Sequence, residues 1–160
     1  NTGKTIAGDN SLSNQQAIQI FMDKVNEKAK AIGVIDSNFV VPDGYDAEGQ
    51  YTTAYDLAIM QRHVWRIPLF QKLWRAIRHM KDGRTEGRSL TTIPMSFLIR
   101  TVPIIVGVIG LKTGTSSLGG ACVVSAAVID GETYICVVMG STKESRFQDS
   151  VDILDKIKAR

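Results

Sequence analysis

Long apolar runs are missing from this chain. No stretch approaches the roughly 18 to 20 residues that a bilayer-spanning helix needs, so no membrane span is expected. A leader layout is missing too, because the opening residues NTGKTIAGDN are polar and show no basic-then-apolar order. The first residue is Asn1 rather than Met, which makes a processed or truncated product the expectation. Cysteine is scarce. Cys122 and Cys136 are the two present, both in apolar, strand-like segments, and two cysteines imply no disulfide framework. They read as buried free thiols, with a disulfide left open and the redox compartment undecided. Charge of one sign is also in short supply: the formal net charge is +3, too mildly basic to argue for nucleic acid as a partner. Internal repeats and low-complexity tracts are absent.

What remains is the composition of a folded domain. With 160 residues, 44% hydrophobic and 22% charged, one domain with a real core is expected. Ser13 and Gln16 form the Ser-x-x-Gln pattern of a capping box. After it Ile18, Phe21, Met22, Val25, Ala29 and Ile32 recur at helical spacing until Gly33 ends the run. Residues 34–51, with Pro42, Gly44, Gly49 and several aspartates, read as a turn-rich connection. Thr53 and Asp56 suggest a second capping box, opening a helix through about Trp65, and Pro68 suits the first turn of a third helix to about Met80. Between Arg62 and Arg88 lie eight Lys or Arg residues with Trp65 and Trp74 among them. Spread over two helices and a loop, they read as a solvated face with Trp anchors rather than a surface for an anionic polymer. The segment KDGRTEGRS reads as a polar loop.

From Pro103 the pattern turns to β. IIVGVIGLKTG is β-branched and glycine-punctuated, and ACVVSAAVI and TYICVVMG flank Asp130-Gly131-Glu132, a hairpin signal. A closing helix carries Phe147, Val151, Leu154 and Ile157 on one stripe. Helices first, then a hairpin-rich sheet, then one helix imply α+β, a helical lobe packed beside an antiparallel sheet.

Lys112-Thr113-Gly114-Thr115 is the chemically informative element. On a strand it offers an ammonium for a carboxylate, a hydroxyl to bond it, and a glycine that lets another backbone approach. The strand edge can also pair with an extended peptide. As a bare tripeptide, Lys-Thr-Gly is equally a strand end with a turn glycine. Context adds to it. The run from Gly107 to Thr115 resembles the third active-site motif of serine D-alanyl-D-alanine carboxypeptidases. Asn38 to Tyr45, Tyr51 to Leu57, and the helix segment Phe21 to Gly33 resemble that family's helical lobe, in the same order and spacing, with 62–100 matching only loosely.

The resemblance implies a β-lactamase/transpeptidase-like fold: one incomplete domain over 1–160, mostly helical over 1–102, with sheet hairpins and a terminal helix over 103–160. It implies a penicillin-binding serine peptidase that removes the terminal D-alanine from peptidoglycan stem peptides through an acyl-enzyme, without metal or organic cofactor, outside the cytoplasmic membrane. Such enzymes bring Ser-x-x-Lys, Ser-x-Asn and Lys-Thr-Gly into one cleft. Here no serine has Lys three positions on or Asn two positions on. In relatives both motifs lie upstream of the point matched by Asn1, so they are expected to be cut off rather than mutated. By resemblance Lys112 supplies charge complementarity, Thr113 contacts the substrate carboxylate with Gly114 beside it on the substrate-binding strand, and the Thr115 N–H is one of two oxyanion donors. The other donor belongs to the absent nucleophile, so the chain alone is expected to be inactive. Its expected partners are the missing N-terminal segment or an oligomer covering the exposed sheet, the stem peptide, and β-lactams in the complete enzyme.

Three rivals share some of these features. A class A β-lactamase needs a glutamate to activate its deacylating water, and residues 34–51 offer only Glu48. Gly3-Lys4-Thr5 resembles the end of a phosphate-binding loop, but the sequence starts too late to show the earlier glycine and the strand before it, and Ile6 to Ser13 is polar and helix-poor where a helix should follow. A non-catalytic peptidoglycan-binding module would keep the Lys-Thr-Gly edge and form no covalent adduct.

Overall fold

Asn1 starts the chain straight into a short helix, α1 (Thr2–Ala7), in a segment to which the sequence pattern assigns no element. The structure, a computed structural model, describes residues 1–70, 72 and 108–159. Helix α1 is held by contact rather than propensity. Gly3 is buried against the next helix so closely that a Cβ there would stand 1.7 Å from the Ala17 carbonyl oxygen.

Helix α2 (Asn14–Ala31) opens on the expected capping box, with the Gln16 N–H donating to Ser13 Oγ at 3.3 Å and the Ser13 N–H donating to Gln16 Oε1 at 3.0 Å. It ends at Gly33, whose φ of 95° only glycine adopts without strain. Ala17, Met22 and Ala29 are buried and Phe21, Val25 and Ile32 half-buried, while Ile18 is exposed. The stripe is rotated toward Ala17 because α1 docks there.

Helix α3 (Ala54–Trp65) begins as expected at Thr53, but only half of the second capping box forms. The Asp56 N–H donates to Thr53 Oγ1 at 3.1 Å. The Asp56 carboxylate, instead of returning to the cap, accepts from the Asp36 N–H and the Ser37 hydroxyl. A buried carboxylate is stabilised more by two donors than by one exposed amide. Residues 68–70 and 72 are helical, as expected of the third helix; the rest of that helix, Trp74, the polar loop and most of the basic cluster lie outside the described residues.

Three strands follow, β1 (Val108–Ser116), β2 (Gly120–Ile129) and β3 (Glu132–Ser141), antiparallel in the order β1-β2-β3. Ile129 pairs with Glu132, so Asp130 and Gly131 form a two-residue turn, with φ of 51° and 84°. Positive φ at both positions is the twist that a tight hairpin demands.

The final helix, α4 (Arg146–Lys158), lays Val151 and Leu154 on the sheet. Leu154 joins Val123, Ala127, Cys136 and Val138 in a buried cluster, flanked by Phe147 and Ile157, the other members of the expected stripe. Ala126, on the opposite face of β2, is buried as well, and α3 packs against β3 and β2. Cys136 is buried and free; Cys122 is free but only half-buried, since its strand position faces away from the α4 core. Among the described residues no helix is long and apolar enough to cross a membrane.

Candidate functional site

Alternation along β1 sorts the four singled-out residues onto two faces. Thr113 and Thr115 pair with the buried residues Val123 and Ala121, on the side that α4 covers. Lys112 and Gly114 pair with Val124 and Cys122, on the other side. Lys112 is exposed and its ammonium donates to the Thr113 carbonyl on its own strand. Gly114 and Thr115 are exposed, Thr113 half-buried. All four therefore sit together on the outer strand of the three, with polar groups reachable from solvent.

The pattern of the sequence misses Arg146. It is the first residue of α4 and only 3% exposed. Its Nη1 donates to the Gly114 carbonyl at 3.1 Å and to Thr115 Oγ1 at 2.9 Å, and its guanidinium lies 4.7 Å from the centre of the Phe147 ring. Nε has no acceptor among the described residues. Burying a guanidinium is costly unless it is paired, and no carboxylate is bonded to it among the described residues. The result is a cation held against the Thr113–Thr115 face with donor capacity to spare. One signal was available: a cation at the positive end of a helix dipole contradicts the usual preference, and such local conflicts concentrate at functional positions.

Residues 38–51 carry a second part of the site. The Asn38 and Tyr51 backbones bond to each other at 2.9 and 3.1 Å, closing the base of a loop. Inside it Gln50 Oε1 accepts from the Val40 and Val41 N–H groups and Gln50 Nε2 donates to the Tyr45 carbonyl at 2.7 Å. Asn26 of α2 clasps Phe39 by both its N–H and its carbonyl. From this braced loop Asp46 reaches the β1–β2 turn, where its Oδ2 accepts from Ser117 Oγ at 2.9 Å and the Leu118 N–H at 3.2 Å. The Asp46 carboxyl is held below the ordinary carboxylate range, first by the Ser116 hydroxyl, then by the Ser117 hydroxyl and the Leu118 N–H.

Ser116, at the end of β1, accepts the Gly119 N–H at 2.9 Å, so its hydroxyl serves the turn. Glu48 is exposed on the same loop. Gly3-Lys4-Thr5 lies inside α1, with Lys4 Nζ bonded to the Asn10 carbonyl at 3.1 Å and Gly3 closed against Ala17, which leaves no phosphate-binding turn there. Among the described residues no group of His, Cys, Asp and Glu could hold a metal ion.

Comparison with known proteins bears on the family and the fold. A family model described as D-alanyl-D-alanine carboxypeptidase matches residues 13–143. The chain is 30% identical over 136 residues to D-alanyl-D-alanine carboxypeptidase DacF of Bacillus subtilis, covering 84% of this chain and 34% of that protein. It is 29% identical over 122 residues to DacD of Escherichia coli, covering 76% and 29%. It thus spans about a third of the length of the curated relatives it matches. Among solved structures, the D-alanyl-D-alanine carboxypeptidase DacD of Francisella tularensis superposes with a TM-score of 0.65 at 26% identity, over 96% of this chain and 46% of that one. The Streptomyces K15 DD-transpeptidase superposes with a TM-score of 0.72 at 22% identity, over 93% and 58%, a likeness of fold.

Proposed function

The chain belongs to the D-alanyl-D-alanine carboxypeptidase family and has the DD-transpeptidase fold, and from that premise we propose that β1 is the substrate-binding strand of a serine peptidase acting on peptidoglycan stem peptides. The observation that carries the reading is the grouping on one outer strand of an exposed lysine, a glycine and two threonines, with a buried arginine behind them. A peptide ending in D-alanine presents a carboxylate and an extended backbone. The backbone would lie along the β1 edge beside Gly114, where no side chain blocks it. Its carboxylate would meet the Thr113 hydroxyl, with the Arg146 guanidinium adding positive potential at the same face. Lys112 would place its charge on the other side of the strand, toward the reacting centre. The Thr115 N–H would donate to the oxygen that becomes negative as the carbonyl is attacked.

The nucleophile in this reading is a serine of Ser-x-x-Lys, a pattern these 160 residues do not contain. Attack by its hydroxyl on the carbonyl between two D-alanines would give an acyl-serine and release D-alanine; water would then hydrolyse the ester and restore the serine. The same serine would be acylated by β-lactams. Within these 160 residues alone the arrangement supports weak binding without turnover. The segment bearing the serine, or an oligomer partner, would cover the open sheet edge, and the enzyme would work in the bacterial cell envelope.

Intact mass spectrometry before and after exposure to a penicillin tests this. The 160-residue chain should keep its mass. When joined to a segment carrying Ser-x-x-Lys and Ser-x-Asn it should gain one acyl group, and Lys112→Ala should slow that gain by about 100-fold or more. A mass gain in the chain alone, or labelling indifferent to Lys112, would overturn the assignment.

A further inference from the structure

Asp46 is distant in sequence from everything that holds it at the sheet. Two of its donors there, Ser117 Oγ at 2.9 Å and the Leu118 N–H at 3.2 Å, follow it by 71 and 72 residues. The turn it grips joins β1 to β2: Ser116 pairs with Gly120, leaving Ser117, Leu118 and Gly119 as its connection. Within the turn the Ser116 hydroxyl accepts the Gly119 N–H, but nothing apolar anchors it, because Leu118 is 84% exposed. Ser117, the first residue past β1, is two residues from Thr115, a span of at most about 7 Å. The carboxylate therefore acts close to the proposed oxyanion donor.

The loop that carries Asp46 is suited to holding it still. Its base is closed by the Asn38–Tyr51 pair, its centre is filled by Gln50, and Asn38 Nδ2 donates to the Gly49 carbonyl at 2.8 Å. A carboxylate bonded to a hydroxyl and an amide is worth little as a tether if its own backbone wanders. Here that backbone is pinned to α2 through Asn26 and Phe39.

We propose that Asp46 is a positioning residue: it latches the loop of the helical part to the β1–β2 turn and so fixes the end of β1 where Thr115 lies. The inference rests on the reading of Lys112 to Thr115 as the substrate-binding strand. It adds that the geometry of this strand is set from both ends of the chain, by Arg146 behind it and by Asp46 beyond its tip.

The test compares Asp46→Ala, Asp46→Asn and Ser117→Ala with Asp43→Ala, whose carboxylate, among the described residues, bonds the nearby Tyr45 N–H. In the 160-residue chain, Asp46→Ala should speed hydrogen exchange of the Leu118 amide about tenfold and leave the Asp130–Gly131 turn unchanged. In the protein joined to its Ser-x-x-Lys and Ser-x-Asn segment, it should slow acylation by a penicillin about ten- to 100-fold, since small misplacements near the reacting atoms carry such losses. Asp46→Asn, which keeps an acceptor oxygen, should recover most of that rate, and Asp43→Ala should match the parent. Should Asp46→Ala lower the urea midpoint as a whole, Ser117→Ala, which removes one donor and keeps the aspartate, becomes the deciding variant. An unchanged Leu118 exchange rate, or parental acylation with the latch gone, overturns the proposal. If the joined parent protein fails to acylate at all, the functional reading falls, and Leu118 exchange still decides whether Asp46 holds the turn.

Discussion

The sheet with α4 and the loop between α2 and α3 reach fixed geometry by opposite means. In the sheet, order comes from apolar side chains on a regular period: Val123, Ala127, Cys136, Val138 and Leu154 close over one another, and the ladder satisfies the backbone around them. Inside it the Ser125 and Ser150 hydroxyls satisfy each other at 2.7 Å, and the exception is the buried Arg146 at the start of α4, whose Nε has no acceptor among the described residues. In the loop almost nothing apolar is buried beyond Val34. Its shape comes from single side chains that each replace a missing ladder bond: Asn26, Asn38, Gln50 and Asp56. The first kind of order is redundant, because many contacts share each residue. The second is serial, and each bond holds one segment.

The difference predicts how each region fails. Leu154→Ala removes a side chain that is 1% exposed at the centre of the cluster, and should lower stability by about 2–5 kcal/mol through lost burial and a residual cavity. Urea melts should show it as a shift of the whole transition, with α4 and all three strands lost together. A shift confined to α4 would mean that the sheet has other support and that the contrast is drawn too sharply.

Asp56 offers the matching cut on the other side. It is fully buried, and Oδ2 holds the Asp36 N–H at 2.8 Å and the Ser37 hydroxyl at 2.6 Å, while Oδ1 has no partner among the described residues. Asp56→Ala removes the acceptor of the Asp36 N–H and one of the two partners of the buried Ser37 hydroxyl, whose other partner is Thr52 Oγ1 at 2.8 Å, at about 1–3 kcal/mol. The loss should be local: limited proteolysis should open residues 34–51 while the sheet amides keep their protection. Global loss of protection would show that the loop is integral to the core.

The same contrast explains what could be read from the sequence. The closing helix, the Asp130–Gly131 hairpin and the α2 capping box are repeated or short-range signals, and each leaves a pattern within about ten residues. Phe147, Val151, Leu154 and Ile157 pointed to one face before any contact was known. Lys112 to Thr115 was legible because its four residues are contiguous and lie in order with the family's other blocks. Arg146 and Asp46 were not, because their roles are set by groups more than 30 residues away: Arg146 leaves only the conflict of a cation at a helix start, and an aspartate in a polar loop leaves no local mark at all. Helix α1 was missed for a third reason: it rests on Gly3 lying flush against Ala17, and a glycine argues against a helix until its neighbour is known. The half-formed box at Thr53 belongs with these, since Asp56 was drawn away by donors some 20 residues earlier.

Acid should separate local from long-range bonding most finely. Asp9 and Asp46 are both exposed, and both carboxyls are held below the ordinary range by donors, Asp9 first by the Ser11 hydroxyl and Asp46 first by the Ser116 hydroxyl. A carboxyl whose folded pKa is depressed contributes stability that is complete above its unfolded value, about 3.9, and lost as the pH falls through the folded value. Both contributions should therefore stand at pH 6 and fade below about pH 4. Their consequences differ, because Asp9 closes a turn two residues long, whereas Asp46 ties the loop to the sheet. Protonation of Asp46 weakens its bonds from Ser117 and Leu118, and the Leu118 amide resonance should move as the β1–β2 turn loosens. Protonation of Asp9 should move Ser11 alone. In Asp46→Asn the Leu118 titration should vanish while that of Ser11 persists. A Leu118 titration that survives the substitution would place the acid-sensitive contact elsewhere and leave Asp46 as no more than a neighbour of the turn.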